Sequence, residues 1–184
     1  MQSKDSKEAL ALASAADVFM RYGFARTTMG DIAAKAGMSR PALYLVFADK
    51  VTAFSRVIEH LDQQELGDIA AVLPTLPSLE AKLLHACLTW GVRGVELATL
   101  HPDAADLFDL RFAAVRQIYA NFQALVSELI AEVPAVQALG ATPDALARTF
   151  VFGLRGLRET ATDPDDMRRL ITLHVRSFTR ALEA

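Results

Sequence analysis

Between Thr28 and Phe47 the sequence confines two short helices to either side of one glycine, and that spacing sharply limits how the chain can turn. Thr28-Met-Gly-Asp31 reads as a capping box, in which a hydroxyl and a carboxylate satisfy the first free backbone N–H groups of a helix. Ile32 and Ala33 follow as its inward residues, and Gly37 ends it. Ser39 is placed to cap the next helix. Pro41 falls in that helix's first turn, where a missing N–H does no harm. A helix, the tight turn Gly37-Met38-Ser39 and a second helix have helix-turn-helix spacing.

The remaining sequence is also helical in pattern, with no sustained alternation and no hairpin-turn dipeptide. A first helix is predicted from about Lys7 to Tyr22, with Leu12, Ala15, Ala16 and Phe19 on one face and Gly23 as its stop. Asp49 is placed to cap a fourth, whose Val51, Phe54, Ile58 and Leu61 form an apolar stripe. Leu73-Pro-Thr-Leu-Pro77 is the clearest break. Helices are then expected near 78–99, 102–109 and 111–133. A loop rich in Pro and Gly leads to a helix capped by Thr142-Pro143, and Asp163-Pro164 opens the last one. The expected fold is all-α with about nine helices. A three-helix amino-terminal domain over residues 1–50 precedes a larger helical domain over residues 51–184.

Composition narrows the function classes. Hydrophobic residues make up 52% of the 184, enough for a sizeable core. No run of 18 apolar residues appears, so no membrane association is expected. The polar start lacks a signal peptide's apolar segment, and Cys87 has no second cysteine to pair with; both suit a reducing cytoplasm. Net charge is −3, but residues 1–50 hold seven Lys/Arg against five Asp/Glu, leaving twelve against seventeen elsewhere. A mildly basic head on an acidic body is consistent with a localised DNA-contacting face. No phosphate-cradling glycine loop, His-Glu-x-x-His or serine elbow occurs, and His60, His85, His101 and His174 lack ligand spacing. Neither catalysis, nor a metal, nor a cofactor is expected.

Helix-turn-helix geometry puts the amino end of the second helix in the major groove of double-stranded DNA. Arg40 can there donate two bonds to guanine, while Pro41 and Ala42 offer apolar contact. Tyr44, Lys50 and Thr28 are placed to meet phosphates. The run Gly23-Phe-Ala-Arg-Thr-Thr28-Met-Gly-Asp-Ile32-Ala-Ala-Lys-Ala-Gly37-Met-Ser-Arg-Pro-Ala42-Leu-Tyr-Leu-Val-Phe47-Ala-Asp-Lys50 resembles the signature of the TetR family of transcriptional regulators. The resemblance spans about the first 60 residues. It implies phosphate contacts at Thr28, Ser39, Tyr44 and Lys50, and contacts to bases or their rims at Arg40, Pro41 and Leu45. Val46 departs from the pattern, standing where many members carry His or Tyr.

The resemblance further implies a homodimer built on the last two helices and a small-molecule effector enclosed by the central ones. His85, Trp90, Phe112, Tyr119 and Phe122 are the candidates for the effector pocket, and each also suits a helical core. Thr149, Gly153, Gly156, Ile171, His174 and Phe178 are the candidates for the dimer interface; the alternative is packing within one protomer. The implied function is a homodimeric repressor released from a near-palindromic operator by its effector. An activator with the same head is a further possibility. The rival class is a helical ligand-binding bundle without DNA-binding activity.

Overall fold

The computed structural model describes residues 4–183, and every regular element among them is helical. Nine α-helices follow in order: α1 (Lys4–Arg26), α2 (Met29–Lys35), α3 (Arg40–Tyr44), α4 (Lys50–Val72), α5 (Leu79–Leu100), α6 (Ala113–Ile130), α7 (Pro134–Ala138), α8 (Pro143–Thr160) and α9 (Pro164–Glu183). Two 3₁₀ segments, Leu73–Thr75 and Pro102–Phe108, lie after α4 and α5. The caps fall where the sequence places them. Thr28, Ser39, Thr142 and Asp163 each accept from the backbone N–H three residues on. Asp49 does the same for Thr52 at the head of α4.

Two departures have simple causes. Gly23, with φ 71° and ψ 175°, stops the first run of α1 where the sequence places its end, and a short further helical stretch follows the kink to Arg26. That left-handed φ favours glycine strongly over any residue with a Cβ. The stretch read as a Pro- and Gly-rich loop contains α7, started by Pro134 in its first turn and followed by Gly140 with φ 66°. Val136, buried there, anchors it.

The chain divides into two compact units. The first takes the residues up to Asp62 together with Leu100–Arg116, and the second takes Gln63–Thr99 with Gln117–Ala184. In the first, Ala11, Ala15 and Phe19 of α1 are fully buried, α1 packs against α2, and the 3₁₀ segment packs along α1. Four phenylalanines, two from α1 on either side of its kink, one from α4 and one just ahead of α6, close its core. Phe54 stands 5.3 Å from Phe19, 5.1 Å from Phe24 and 4.7 Å from Phe112, centroid to centroid.

The second unit is a bundle whose fully buried residues include Leu83 and Ala86 of α5, Phe122, Val126 and Ile130 of α6, and Val151 of α8. α8 and α9 are close neighbours. Gly153 makes their approach possible: a Cβ there would stand 2.7 Å from His174 Cε1. The His174 ring cannot easily give way, because it stacks on Phe150 at 4.5 Å and its Nε2 donates to the Phe150 carbonyl at 3.0 Å. Gly153→Ala gains about 1 kcal/mol of helix propensity against an overpacking cost of about 1–3 kcal/mol. We expect a net lowering of the thermal midpoint. Gly67→Ala on α4, where nothing lies within 4 Å, is expected to raise it. If Gly153→Ala raised the midpoint as much as Gly67→Ala, the close approach would carry no energetic weight.

Candidate nucleic-acid interface and helical body

The first turn of α2 is held by a closed capping box. Asp31 N donates to Thr28 Oγ1 at 3.2 Å, and Thr28 N donates to Asp31 Oδ2 at 2.8 Å. The Thr28 hydroxyl also gives its single hydrogen to Asp31 Oδ2, at 2.7 Å. While that bond stands, Thr28 has no donor of its own to offer a phosphate. The bonds from the Thr28 hydroxyl and backbone hold the Asp31 carboxyl below its ordinary pKa, with a smaller contribution from the nearby Arg40 charge.

Gly37, at φ 61°, turns the chain into α3. Leu43 and Phe47, both fully buried, fix α3 from beneath. The opposite face is left open. Ser39, Arg40 and Pro41 are exposed, Tyr44 is 47% exposed and Leu45 is 89% exposed. An apolar side chain standing that far out suits a thymine methyl group. Val46 is half-buried. Ser39 accepts from Ala42 N at 3.3 Å, which leaves its own hydrogen to donate outward. The Arg40 guanidinium lies back along α2: a Cβ built on Gly30 would stand 3.7 Å from its Nε and Cζ. To read a base, this arginine has to swing away from α2.

Lys50 differs from the expectation of a free phosphate-facing cation. Its Nζ donates to the Phe24 carbonyl at 2.9 Å and stands 4.3 Å above the Phe24 ring. The same peptide region is held from the other direction by Asp106, whose carboxylate accepts from Phe24 N at 2.8 Å and Ala25 N at 2.7 Å. Asp106 is a positioning residue that sequence reasoning missed. Its partners lie more than 80 positions away, and no local pattern marks it. An open groove of about 430 Å³ runs between α1 and α2, lined by Arg21, Arg26 and Lys35 and by the acidic Asp17 and Asp31.

In the second unit the structure brings together three of the five pocket candidates. Trp90 stacks on Phe122 at 4.3 Å and meets Tyr119 edge-on at 5.2 Å. Phe152, not singled out from sequence, stacks on Tyr119 at 5.6 Å. His85 is half-buried, with its Nε2 buried and unpartnered. Phe112 does not join them: it precedes α6 and belongs to the phenylalanine core of the first unit. Cys87 is fully buried, and that burial pushes its thiol far above the ordinary pKa.

The dimer candidates also separate. Thr149 and Gly156 are exposed on α8. Gly153 and His174 face each other, and Phe178 packs on Phe150 at 4.5 Å. Ile171 is fully buried, its Cδ1 only 2.9 Å from a Cβ built on Gly91, so it has no surface to give a second copy. The exposed apolar residues of these helices are instead Phe152 and Leu173, the latter 65% exposed. Among the described residues, no helix is long and apolar enough to cross a membrane.

Residues 11–54 match the family described as bacterial regulatory proteins, tetR family. An uncharacterized HTH-type transcriptional regulator of Bacillus subtilis (strain 168), YfiR, is 41% identical over 58 residues. That match takes in 32% of this chain and spans little more than a quarter, 28%, of the relative's length. Solved structures agree over nearly the whole chain. A TetR-family transcriptional regulator from Streptomyces coelicolor has a TM-score of 0.74 at 19% identity, covering 98% of this chain and 92% of its own. A transcriptional regulator from Cytophaga hutchinsonii has a TM-score of 0.73 at 21% identity, covering 94% and 96%. The fatty acid degradation regulator FadR from Bacillus halodurans has a TM-score of 0.72 at 14% identity, covering 96% of each chain. At these identities the likeness is one of fold.

Proposed function

We propose, from the match of residues 11–54 to the tetR family of bacterial regulatory proteins, that the chain is a sequence-specific transcriptional regulator of that family. The observation that carries this reading is the open face of α3. Leu43 and Phe47 are fully buried beneath it, while Arg40, Pro41, Tyr44 and Leu45 are exposed on its outer side. In this reading Arg40, Pro41 and Leu45 read base edges. Ser39, Tyr44 and the start of α2 at Thr28 hold phosphates, and Lys50 sets the turn that aims them.

The working form is a cytoplasmic homodimer on a near-palindromic operator, since two recognition helices must meet half-sites about one DNA turn apart. The exposed faces of α8 and α9, with Thr149, Phe152, Gly156 and Leu173, supply the contact between copies. An effector held among the central helices, against Trp90, Tyr119 and Phe122, favours a dimer state of lower operator affinity. Such a ligand acts only through its differential affinity for the two states. Helix α4 is one continuous helix whose ends belong to different units, and α6 likewise begins in one and continues in the other, so both are covalent paths for that change. The outcome is repression relieved by the effector.

The test is fluorescence anisotropy of the purified protein on DNA from immediately upstream of its own gene, across a salt series with scrambled DNA as competitor. Arg40→Ala is expected to relax selectivity by about 1–3 kcal/mol at one position of each half-site. Should the wild type prefer neither this DNA nor any fragment in a genome-wide selection, the reading gives way to a ligand-binding bundle without DNA-binding activity.

A further inference from the structure

Arg155 sits on α8 with Nη1 buried, and among the described residues no acceptor reaches that nitrogen. Its nearest carboxylate, Glu159, lies 3.9 Å from Nε, and the Glu159 side chain is 61% exposed. The guanidinium stands 5.8 Å from the centroid of the Tyr119 ring. That contact offers no lone-pair acceptor, and a guanidinium has only donors to give. A buried charged N–H without an acceptor is costly enough that folded proteins rarely keep one without use. Tyr119 is nearly buried and Phe122 completely so, and Trp90 joins them, so the surface next to this cation is apolar and aromatic. His85 Nε2, on the helix that carries Trp90, is a second buried nitrogen of this unit without a partner.

We propose that Arg155 is the head-group anchor of the effector site, and that the effector is an organic monocarboxylate with an apolar body. The carboxylate accepts from the buried Nη1 of Arg155, in the planar geometry that a guanidinium and a carboxylate share. The apolar body lies against Trp90 and Tyr119. The Arg155 side chain is 27% exposed, so Nη1 is its buried end, and one guanidinium balances one negative charge, which favours a carboxylate over a phosphate dianion. The assignment rests on the reading above that the second unit senses a small molecule.

Trp90 is the single tryptophan, so its emission reports this site in the full-length protein. The protein is titrated with hexanoate, decanoate and 3-phenylpropanoate, with the primary amide of each, and with inorganic phosphate. At least one acid is expected to change Trp90 emission and to bind tenfold or more tightly than its amide. Arg155→Gln removes that preference, and Arg155→Lys restores part of it. Equal binding of acid and amide, tighter binding of phosphate, or no response to any acid overturns the assignment and leaves an ordered water as the partner of Nη1. A preference that survives Arg155→Gln overturns it too. If Arg155→Gln does not fold, the acid–amide ratio of the wild type decides. The anisotropy assay keeps the two readings apart. Selective DNA binding with no response to the acids sinks only this assignment, whereas absence of selective DNA binding sinks the regulator whatever the acids do.

Discussion

Phe54→Ala is expected to destabilise the protein by about 3–5 kcal/mol, the usual cost of truncating a fully buried phenylalanine. Phe54 is completely buried and is the shared member of the four-ring core, in contact with Phe19, Phe24 and Phe112. Removing it takes a ring from between three others that are held by α1, on either side of its kink at Gly23, and by the residue ahead of α6. Those rings are held by separate stretches of backbone that close only partly on the space, so the cavity cost adds to the lost transfer energy. Total stabilities are only about 5–15 kcal/mol, so the variant should sit near its threshold. Urea unfolding followed by circular dichroism checks this, with Phe54→Leu as the milder control. A loss below about 1 kcal/mol for Phe54→Ala would show that the cluster can collapse around the gap.

The same core shows where sequence reading succeeds and where it stops. Phe19 and Phe54 were visible as members of apolar stripes on predicted helices, because helical periodicity is a local property. The caps at Thr28, Ser39, Asp49, Thr142 and Asp163 were legible for the same reason: donor and acceptor lie three residues apart. Phe112 was not legible. Its spacing with Tyr119 and Phe122 put it on a pocket-lining stripe, but it precedes α6, where helical phase no longer says which way a side chain points. Ile171 was misplaced by a related error, since periodicity finds the apolar face of α9 but not whether its own chain or a second copy covers it. Lys50 lies in a motif whose chemistry is legible, yet its acceptor is a carbonyl 26 residues earlier. Arg155 carried no signal at all, because one arginine on an amphipathic helix looks like any solvated charge until the atoms around it are placed.

Asp106→Ala is expected to weaken operator binding about tenfold without touching DNA, and to lower stability by about 1–3 kcal/mol. Its carboxylate accepts from two successive backbone N–H groups, Phe24 and Ala25, just beyond the bend at Gly23. The Phe24 carbonyl is taken by Lys50, and the Gly23 carbonyl accepts from the Thr27 hydroxyl at 2.7 Å. With all four bonds in place, the chain from the bend at Gly23 to the start of α2 has one path, and that path sets where Thr28 begins α2 and how α3 is presented. Without Asp106 the Ala25 N–H, which is exposed, can turn to water, but the half-buried Phe24 N–H is left poorly satisfied and the turn loosens. The loss of affinity then comes from ordering that turn again on the DNA, not from a missing phosphate contact. Its signature is therefore distinct: the salt slope of binding should match that of the wild type, whereas removing a phosphate-contacting cation flattens the slope by about one unit. Asp106→Asn should not rescue, because an amide offers one acceptor oxygen where the carboxylate supplies two. The anisotropy salt series, run at a temperature where circular dichroism shows Asp106→Ala fully folded, checks both parts. An unchanged affinity in that folded variant would mean that α2 and α3 hold their geometry without the clamp, and a flattened slope would place Asp106 among the groups that shape the phosphate contacts directly.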